Sequence, residues 1–198
     1  LFTLFELMKS TGARVHLCRL SSAAGVQLVR EAKAAGLPVT CDVSINSLHL
    51  TDTDIGYFDS RLRLSPPLRQ QRDRDALREA LADGTIDALV SDHNPVAADA
   101  KTLPFAEAEP GATGLELLLS LAMQWGEQSG VGLTRALAVV TSEPARVQEE
   151  QLIDSIYSAI VSDVAGGRKL SEAKVRELVD RGTMTAAEAK EAGLAPWS

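Results

Sequence analysis

Aromatic side chains are scarce in this chain, only 4% of 198 residues, so a core must be assembled from Leu, Val, Ile and Ala. That favours helices packed on a buried sheet over an aromatic-rich β-sandwich. Cysteine is nearly absent: Cys18 and Cys41 stand far apart and read as reduced, cytosolic core thiols rather than a disulfide framework. Cations are in deficit, 20 Lys and Arg against 27 Asp and Glu for a formal charge of −7. Nonspecific nucleic-acid and anionic-membrane binding need a cationic face, so neither partner is expected. No apolar run approaches the ~18 residues of a membrane span, no signal peptide is visible, and a cytoplasmic location is expected. An initiator Met is missing too. The chain opens at Leu1 directly on an apolar helical pattern (Leu4, Phe5, Leu7, Met8), as a fragment of a longer protein would.

What is present is a globular composition, 45% hydrophobic, with strands alternating with helices. Arg14 to Cys18 reads as a short strand. Ser21 or Ser22 caps a helix through Val26, Leu28, Val29 and Ala32 that stops at Gly36. Leu37 to Val43 forms a second strand, with Pro38 at its start. Arg61 to Leu64 forms a third, ended by Pro66 and Pro67. A helix runs from about Asp73 to Ala82, stopped near Gly84, and Ile86 to Val90 is a fourth strand. Alternation of this kind argues for a parallel sheet, because parallel neighbours need a crossover element. It fits half of an eight-stranded β/α barrel and a small doubly wound sheet nearly equally.

After a polar loop over 95–112, Thr113 and Glu116 form a capping box before a helix so apolar that it should be well buried. Leu133 to Val140 makes another short helix, ending at Thr141-Ser142-Glu143-Pro144. From Gln148 the pattern is helical only, so a boundary is placed at 147/148. Leu152, Ile153, Ile156, Tyr157, Ile160, Val161 and Val164 form one apolar stripe. Gly166-Gly167 breaks that helix, Ser171 caps the next, and Thr185 with Glu188 forms another capping box before Gly193.

In β/α barrels reactive groups sit at the C-terminal ends of strands, here His16 to Ser21, Val43 to His49, Leu64 to Arg69 and Ser91 to Val96. The segment His16-Leu17-Cys18-Arg19-Leu20-Ser21-Ser22 resembles the fifth-strand motif His-Ile-Cys-His-Val-Ser-Thr of dihydroorotases. These are cyclic-amide hydrolases of pyrimidine synthesis in the amidohydrolase superfamily. Val43-Ser44-Ile45-Asn46-Ser47-Leu48 resembles their Val-Thr-Pro-His-His-Leu. Leu64-Ser65-Pro66-Pro67-Leu68-Arg69 resembles Val-Asn-Pro-Pro-Leu-Arg. Asp83 to Ala88 and Ser91-Asp92-His93-Asn94-Pro95-Val96 resemble Asp-Gly-Thr-Ile-Asp-Ala and Thr-Asp-His-Ala-Pro-His. Lys101, Pro104, Phe105, Gly114, Leu115 and Glu116 fit the family's next stretch, C-terminal to that signature. The likeness spans 1–147 and implies an α/β fold, the C-terminal half of a TIM-like (β/α)8 barrel, with a small all-helical tail over 148–198.

The departures carry the functional reading. The resemblance implies zinc held by imidazoles and carboxylates, generating a hydroxide nucleophile. Arg19 stands where the fifth-strand metal histidine would be, and a guanidinium offers no lone pair to a cation. Asn46 replaces the sixth-strand histidine. On the substrate side Ser65 and Val96 replace the family's Asn and final His, beside Arg69 and His93. Asp92 remains of the metal-site positions, as a vestigial catalytic carboxylate that could pair with Arg19. No metal and no dihydroorotase activity are therefore expected. Noncatalytic dihydroorotase-like subunits form such a class and assemble with aspartate carbamoyltransferase; self-association through open sheet edges is a further expectation. The alternative is an active cyclic-amide hydrolase built around Asp92. His16 reads as a satisfied core histidine and His49 as a packing residue.

In the tail, Ser155-Ile156-Tyr157, Gly167 to Ser171, Val175-Arg176-Glu177-Leu178 and Thr185 to Leu194 resemble the helical end of signal-peptide peptidases of the protease IV type, which use a Ser/Lys pair. Arg181-Gly182-Thr183 and Ala195-Pro196-Trp197 depart from that pattern. Ser155, Ser158 and Ser171 read as surface or cap residues. A fragment of a serine peptidase is the alternative for this segment, and two unrelated likenesses in one polypeptide imply a chimeric chain.

Overall fold

In the computed structural model the described residues are 1–180, 188 and 191–193. The chain divides into two compact units, 1–147 and 148–198.

The first unit opens with helix α1 (Phe2–Thr11), closed by Gly12 in the left-handed conformation. Three parallel strands come next, β1 (Val15–Leu17), β2 (Val39–Ser44) and β3 (Ala88–Val90), in the spatial order β1-β2-β3. Val15 pairs with Val39 and Leu17 with Cys41; Asp42 pairs with Ala88 and Ser44 with Val90. Crossovers are helical, as parallel neighbours require. Helix α2 (Ala23–Ala34) joins β1 to β2, with Ser22 as its cap, accepting a bond from the Gly25 amide at 3.1 Å. The short helix α3 (Ile45–His49) and helix α4 (Gln71–Asp83) lie between β2 and β3.

Along β2 the side chains alternate, and Val39, Cys41 and Val43 join a core with Val26, Val29, Leu77 and Leu81 from the helices. Burying each of these aliphatic side chains contributes about 1.5–3 kcal/mol. The turn into β3 is held by charge. Gly84 adopts φ 85° after α4, and Asp87 receives Lys33 Nζ at 2.8 Å and the Cys41 amide at 2.8 Å. One carboxylate thus ties α2, β2 and the approach to β3.

Four expectations are corrected. Among the described residues the sheet has three strands, not four, because 61–64 is not extended: Asp59 caps a 3₁₀ turn over Ser60–Leu62. Asp59 accepts the Arg61 amide at 2.9 Å, a local bond that competes with strand pairing. The Thr113–Glu116 capping box does not form. A 3₁₀ turn over Leu115–Leu117 leads into α5 (Leu118–Ser129), with Gly114 at its start. A Cβ on Gly114 would lie 2.3 Å from the Ser91 carbonyl oxygen, so the entry to this helix is set by packing rather than by a cap. Nor is α5 buried all round: Ala122, Trp125 and Gly126 face the core, while Leu119 and Met123 are exposed.

Helix α6 (Gly132–Ala138) is next, and α7 (Ser142–Arg168) starts with Pro144 in its first turn, where a missing amide hydrogen costs nothing. The fourth correction lies in α7, which continues through Gly166-Gly167 instead of breaking there. Each glycine costs about 1 kcal/mol, offset by the packing of Val161 and Ala165 on Val175 of α8 (Glu172–Asp180). Ser171 caps α8 through the Lys174 amide at 3.2 Å. The side chains of Leu152, Ile153 and Ile156, the residue Thr185 with its expected capping box, and the segments 181–183 and 195–197 lie outside the described residues. Among the described residues no helix is long and apolar enough to cross a membrane.

Candidate functional site

The ends of β1, β2 and β3 converge. Directly after β1 the backbone turns sharply, with Arg19 at φ 56°. The turn is stapled to β2: the Arg19 amide donates to Asp42 Oδ1 at 2.7 Å, and the Leu20 amide to the Asp42 carbonyl at 2.9 Å. After β3 the chain makes a matching turn, with Asp92 at φ 49°. These two left-handed residues, neither of them glycine, aim the Arg19 and Asp92 side chains at one another. Arg19 Nη1 lies 3.3 Å from Asp92 Oδ1 and also donates to the Ser65 carbonyl at 3.0 Å. Asp92 is mostly covered, whereas the Arg19 side chain is 44% exposed.

The loop beyond Asp92 is held to the segment before α5. The Asn94 amide donates to the Ala112 carbonyl, and Asn94 Nδ2 donates to the Pro110 carbonyl. His93 Nδ1 accepts from the amides of Gly114 and Leu115, both at 3.2 Å. An imidazole nitrogen that accepts two amide hydrogens is unprotonated, so the ring proton of His93 sits on Nε2. Glycine is required on the facing segment: a Cβ on Gly111 would lie 2.5 Å from the Asn94 carbonyl and 2.7 Å from Val96 Cγ2.

Of the sequence-designated positions, the structure therefore brings Arg19, Asp92 and the Ser65 main chain together. Asn46 lies in the first turn of α3, its amide held by the Ser44 hydroxyl at 3.1 Å. Among the described residues it makes no side-chain hydrogen bond to the Arg19–Asp92 pair. Arg69 is exposed, and its carbonyl accepts from the Asp52 amide. Val96 is half-buried against Gly111. His16 is satisfied but not sealed in the core: Nδ1 meets Thr40 Oγ1 at 2.8 Å and Nε2 meets Asp42 Oδ2 at 2.9 Å. His49 donates to the Leu121 carbonyl at 3.0 Å, and burial together with the Arg78 guanidinium holds its pKa below the ordinary imidazole range. Cys41 is buried, and burial with the nearby Asp87 charge pushes its thiol up to about 12, an inert core group. Cys18, also expected in the core, is exposed, because it lies beyond the end of β1.

The sequence reading missed Asp42. Its place beside His16 follows from the register of β1 against β2, which sets His16 opposite Thr40 and so on the face that also carries Asp42.

Whether this constellation suits a divalent ion depends on its donors. Asp92, the one carboxylate, already faces a guanidinium at 3.3 Å. The guanidinium sets a positive charge against that carboxylate, and Asn46 offers only an amide. The set at Arg19, Asn46 and Asp92 does not fit zinc.

No protein-family model matches the chain. It is 46% identical over 140 residues to a dihydroorotase-like protein of Pseudomonas aeruginosa, a match covering 71% of this chain and 33% of that protein. It is 41% identical over 137 residues to a dihydroorotase of Mycobacterium tuberculosis, with 69% and 32% covered. Among solved structures, the L-hydantoinase (dihydropyrimidinase) of Arthrobacter aurescens is similar at a TM-score of 0.66 and 28% identity, covering 73% of this chain and 33% of that one. The dihydroorotase of Saccharomyces cerevisiae, solved with 5-fluoroorotic acid, shares the fold at a TM-score of 0.65 and 17% identity, with 74% and 41% covered. These relatives support the dihydroorotase family. The structural neighbours are amidohydrolase TIM-barrel enzymes, and this chain spans about a third of the length of the curated relatives it matches.

Proposed function

We propose that this chain is the later part of a noncatalytic dihydroorotase-like protein of pyrimidine metabolism, half of a (β/α)8 barrel over 1–147, whose use is assembly with aspartate carbamoyltransferase. One observation carries the reading: Arg19 Nη1 stands 3.3 Å from Asp92 Oδ1. In a hydrolase of this family the carboxylate at that position would hold the metal and move the proton. Here it accepts from a fixed cation, so Asp92 is left as a vestige. His93 has its Nδ1 committed to two backbone amides, and Ser65 contributes its main-chain oxygen to Arg19. His93 is thereby not placed to act as the base that Asp92 no longer is.

The resemblance to dihydroorotase-like subunits supports the transferase as partner. In size-exclusion chromatography of the chain mixed with aspartate carbamoyltransferase, co-elution is expected, and separate elution contradicts the assembly role. A dihydroorotate ring-opening assay on the same sample should show no turnover above buffer. Turnover that disappears in Asp92→Ala would establish the hydrolase reading instead. The unit over 148–198 is proposed as a helical appendage similar to the end of protease IV-type peptidases, without proteolytic chemistry. Ser171 is occupied in capping α8, and Ser155 and Ser158 are exposed helix positions.

A further inference from the structure

Two cations meet where the segment after the 3₁₀ turn Ser60–Leu62 touches a second 3₁₀ turn, Asp99–Lys101. Arg63 has extended backbone and its neighbour Leu64 is buried, so the Arg63 side chain leaves the opposite face of the chain. Its guanidinium lies over the Phe105 ring, 5.7 Å from the centroid. Phe58 meets the same ring edge-on at 5.9 Å and holds it in place. Lys101 arrives from the other turn. Its Nζ donates to the Ser60 carbonyl at 3.2 Å and to the Arg63 carbonyl at 3.0 Å, while the Ser60 hydroxyl donates to the Lys101 carbonyl. These bonds anchor the ammonium beside the residue that carries the guanidinium.

Neither cation is answered. Among the described residues no carboxylate lies within ion-pair distance of Arg63 or Lys101, and no Arg63 N–H has a hydrogen-bond acceptor. The Nε–H is sealed from solvent, whereas both Nη groups reach it. The face of Phe105 attracts a cation but gives an N–H no lone pair. The two charges also feel one another. Burial first, and the Arg63 charge second, hold the Lys101 pKa below the ordinary lysine range. Glu109, exposed and beyond ion-pair distance, acts in the opposite sense.

We propose that Arg63 and Lys101 form a binding site for an oxyanion, the carboxylate or phosphate group of a small ligand. The site uses neither side chain of the Arg19–Asp92 pair and is independent of the assembly reading. A guanidinium presents parallel N–H donors that match two oxygens of either group, and its plane is fixed here by Phe105. An ammonium has three N–H donors; two go to carbonyls, and the third is left for the same anion. One anion on the solvent side relieves the repulsion between the cations and supplies the acceptors that Arg63 lacks.

Inorganic phosphate and sodium acetate, titrated separately into the full chain at constant ionic strength, test this through arginine Nε–H signals in heteronuclear NMR. A sealed Nε–H exchanges slowly with water, which sets Arg63 apart from exposed arginines. The expected result is one such signal shifting to saturation with at least one of the two anions, and the tighter anion names the ligand class. The signal and its shift should vanish in Arg63→Met, which keeps an apolar stem on Phe105 and whose fold is checked by its thermal transition. Lys101→Gln, still able to donate to a carbonyl, should bind roughly tenfold more weakly. Glu109→Gln, which removes the competing carboxylate, should bind about twofold more tightly. A shift that sodium chloride reproduces, or that survives in Arg63→Met, overturns the proposal. So does the lack of a saturable shift with both anions.

Discussion

Two aspartates belong to adjacent strands, Asp42 within β2 and Asp92 just beyond β3, and their partners set them apart. Asp92 is answered by a guanidinium, Asp42 by an imidazole and a main-chain amide. A guanidinium neutralises a carboxylate and has no lone pair to give; an imidazole can share one. The residue beside a carboxylate, more than the carboxylate itself, decides what chemistry the end of a strand can support. Position matters as well. Asp42 is 6% exposed and integrated in the sheet, whereas the Asp92 pair opens to solvent through Arg19.

That contrast predicts unequal costs of removal. Asp42→Ala strips the acceptor from the Arg19 amide and from His16 Nε2 in a covered place, and should destabilise the chain by about 2–4 kcal/mol in urea unfolding. Gly114→Ala comes next: its new Cβ would press on the Ser91 carbonyl directly before Asp92, with an expected cost of roughly 1–3 kcal/mol. Asp92→Ala should cost at most about 1 kcal/mol, because its partner's side chain is 44% exposed and the pair is screened by solvent. Equal losses at Asp42 and Asp92 would erase the distinction.

The smallest effect is a pH background that any acid titration of the two aspartates must subtract. His49 has a folded pKa lowered by burial and by Arg78. Its contribution is therefore present above the unfolded value of about 6.5 and is lost as pH falls through the lower folded value. His49→Gln, which can still donate to the Leu121 carbonyl, should show a shallower decline of the urea midpoint over that range. Identical slopes would remove His49 from the account.

Much of this was legible beforehand, for reasons that can be named. Helices α2 and α4 announced themselves by a serine cap and by glycines at Gly36 and Gly84, local signals that survive any tertiary context. The strands around Cys41 and Leu89 were legible as apolar runs, though each was drawn a residue or two long at its start. The Arg19–Asp92 contact could be anticipated because opposite charges stood at the ends of two strands expected to share a sheet.

The failures were non-local. Residues 61–64 have a strand's composition, but Asp59 folds them into a turn. Gly114 enters the sequence reading only through the family resemblance; the approach of the Ser91 carbonyl, just beyond β3, shows why it must be glycine. The His16–Asp42 contact stayed hidden because it needs the register of β1 against β2, with His16 opposite Thr40. No spacing along the chain encodes that register.

The central claim is that Arg19 excludes a metal from Asp92, and calorimetric titration of zinc into the chain and into Asp92→Asn tests it most directly. The account predicts no stoichiometric binding that depends on Asp92, so the two chains should give the same trace. One equivalent of zinc bound to the unaltered chain and lost in Asp92→Asn would contradict it.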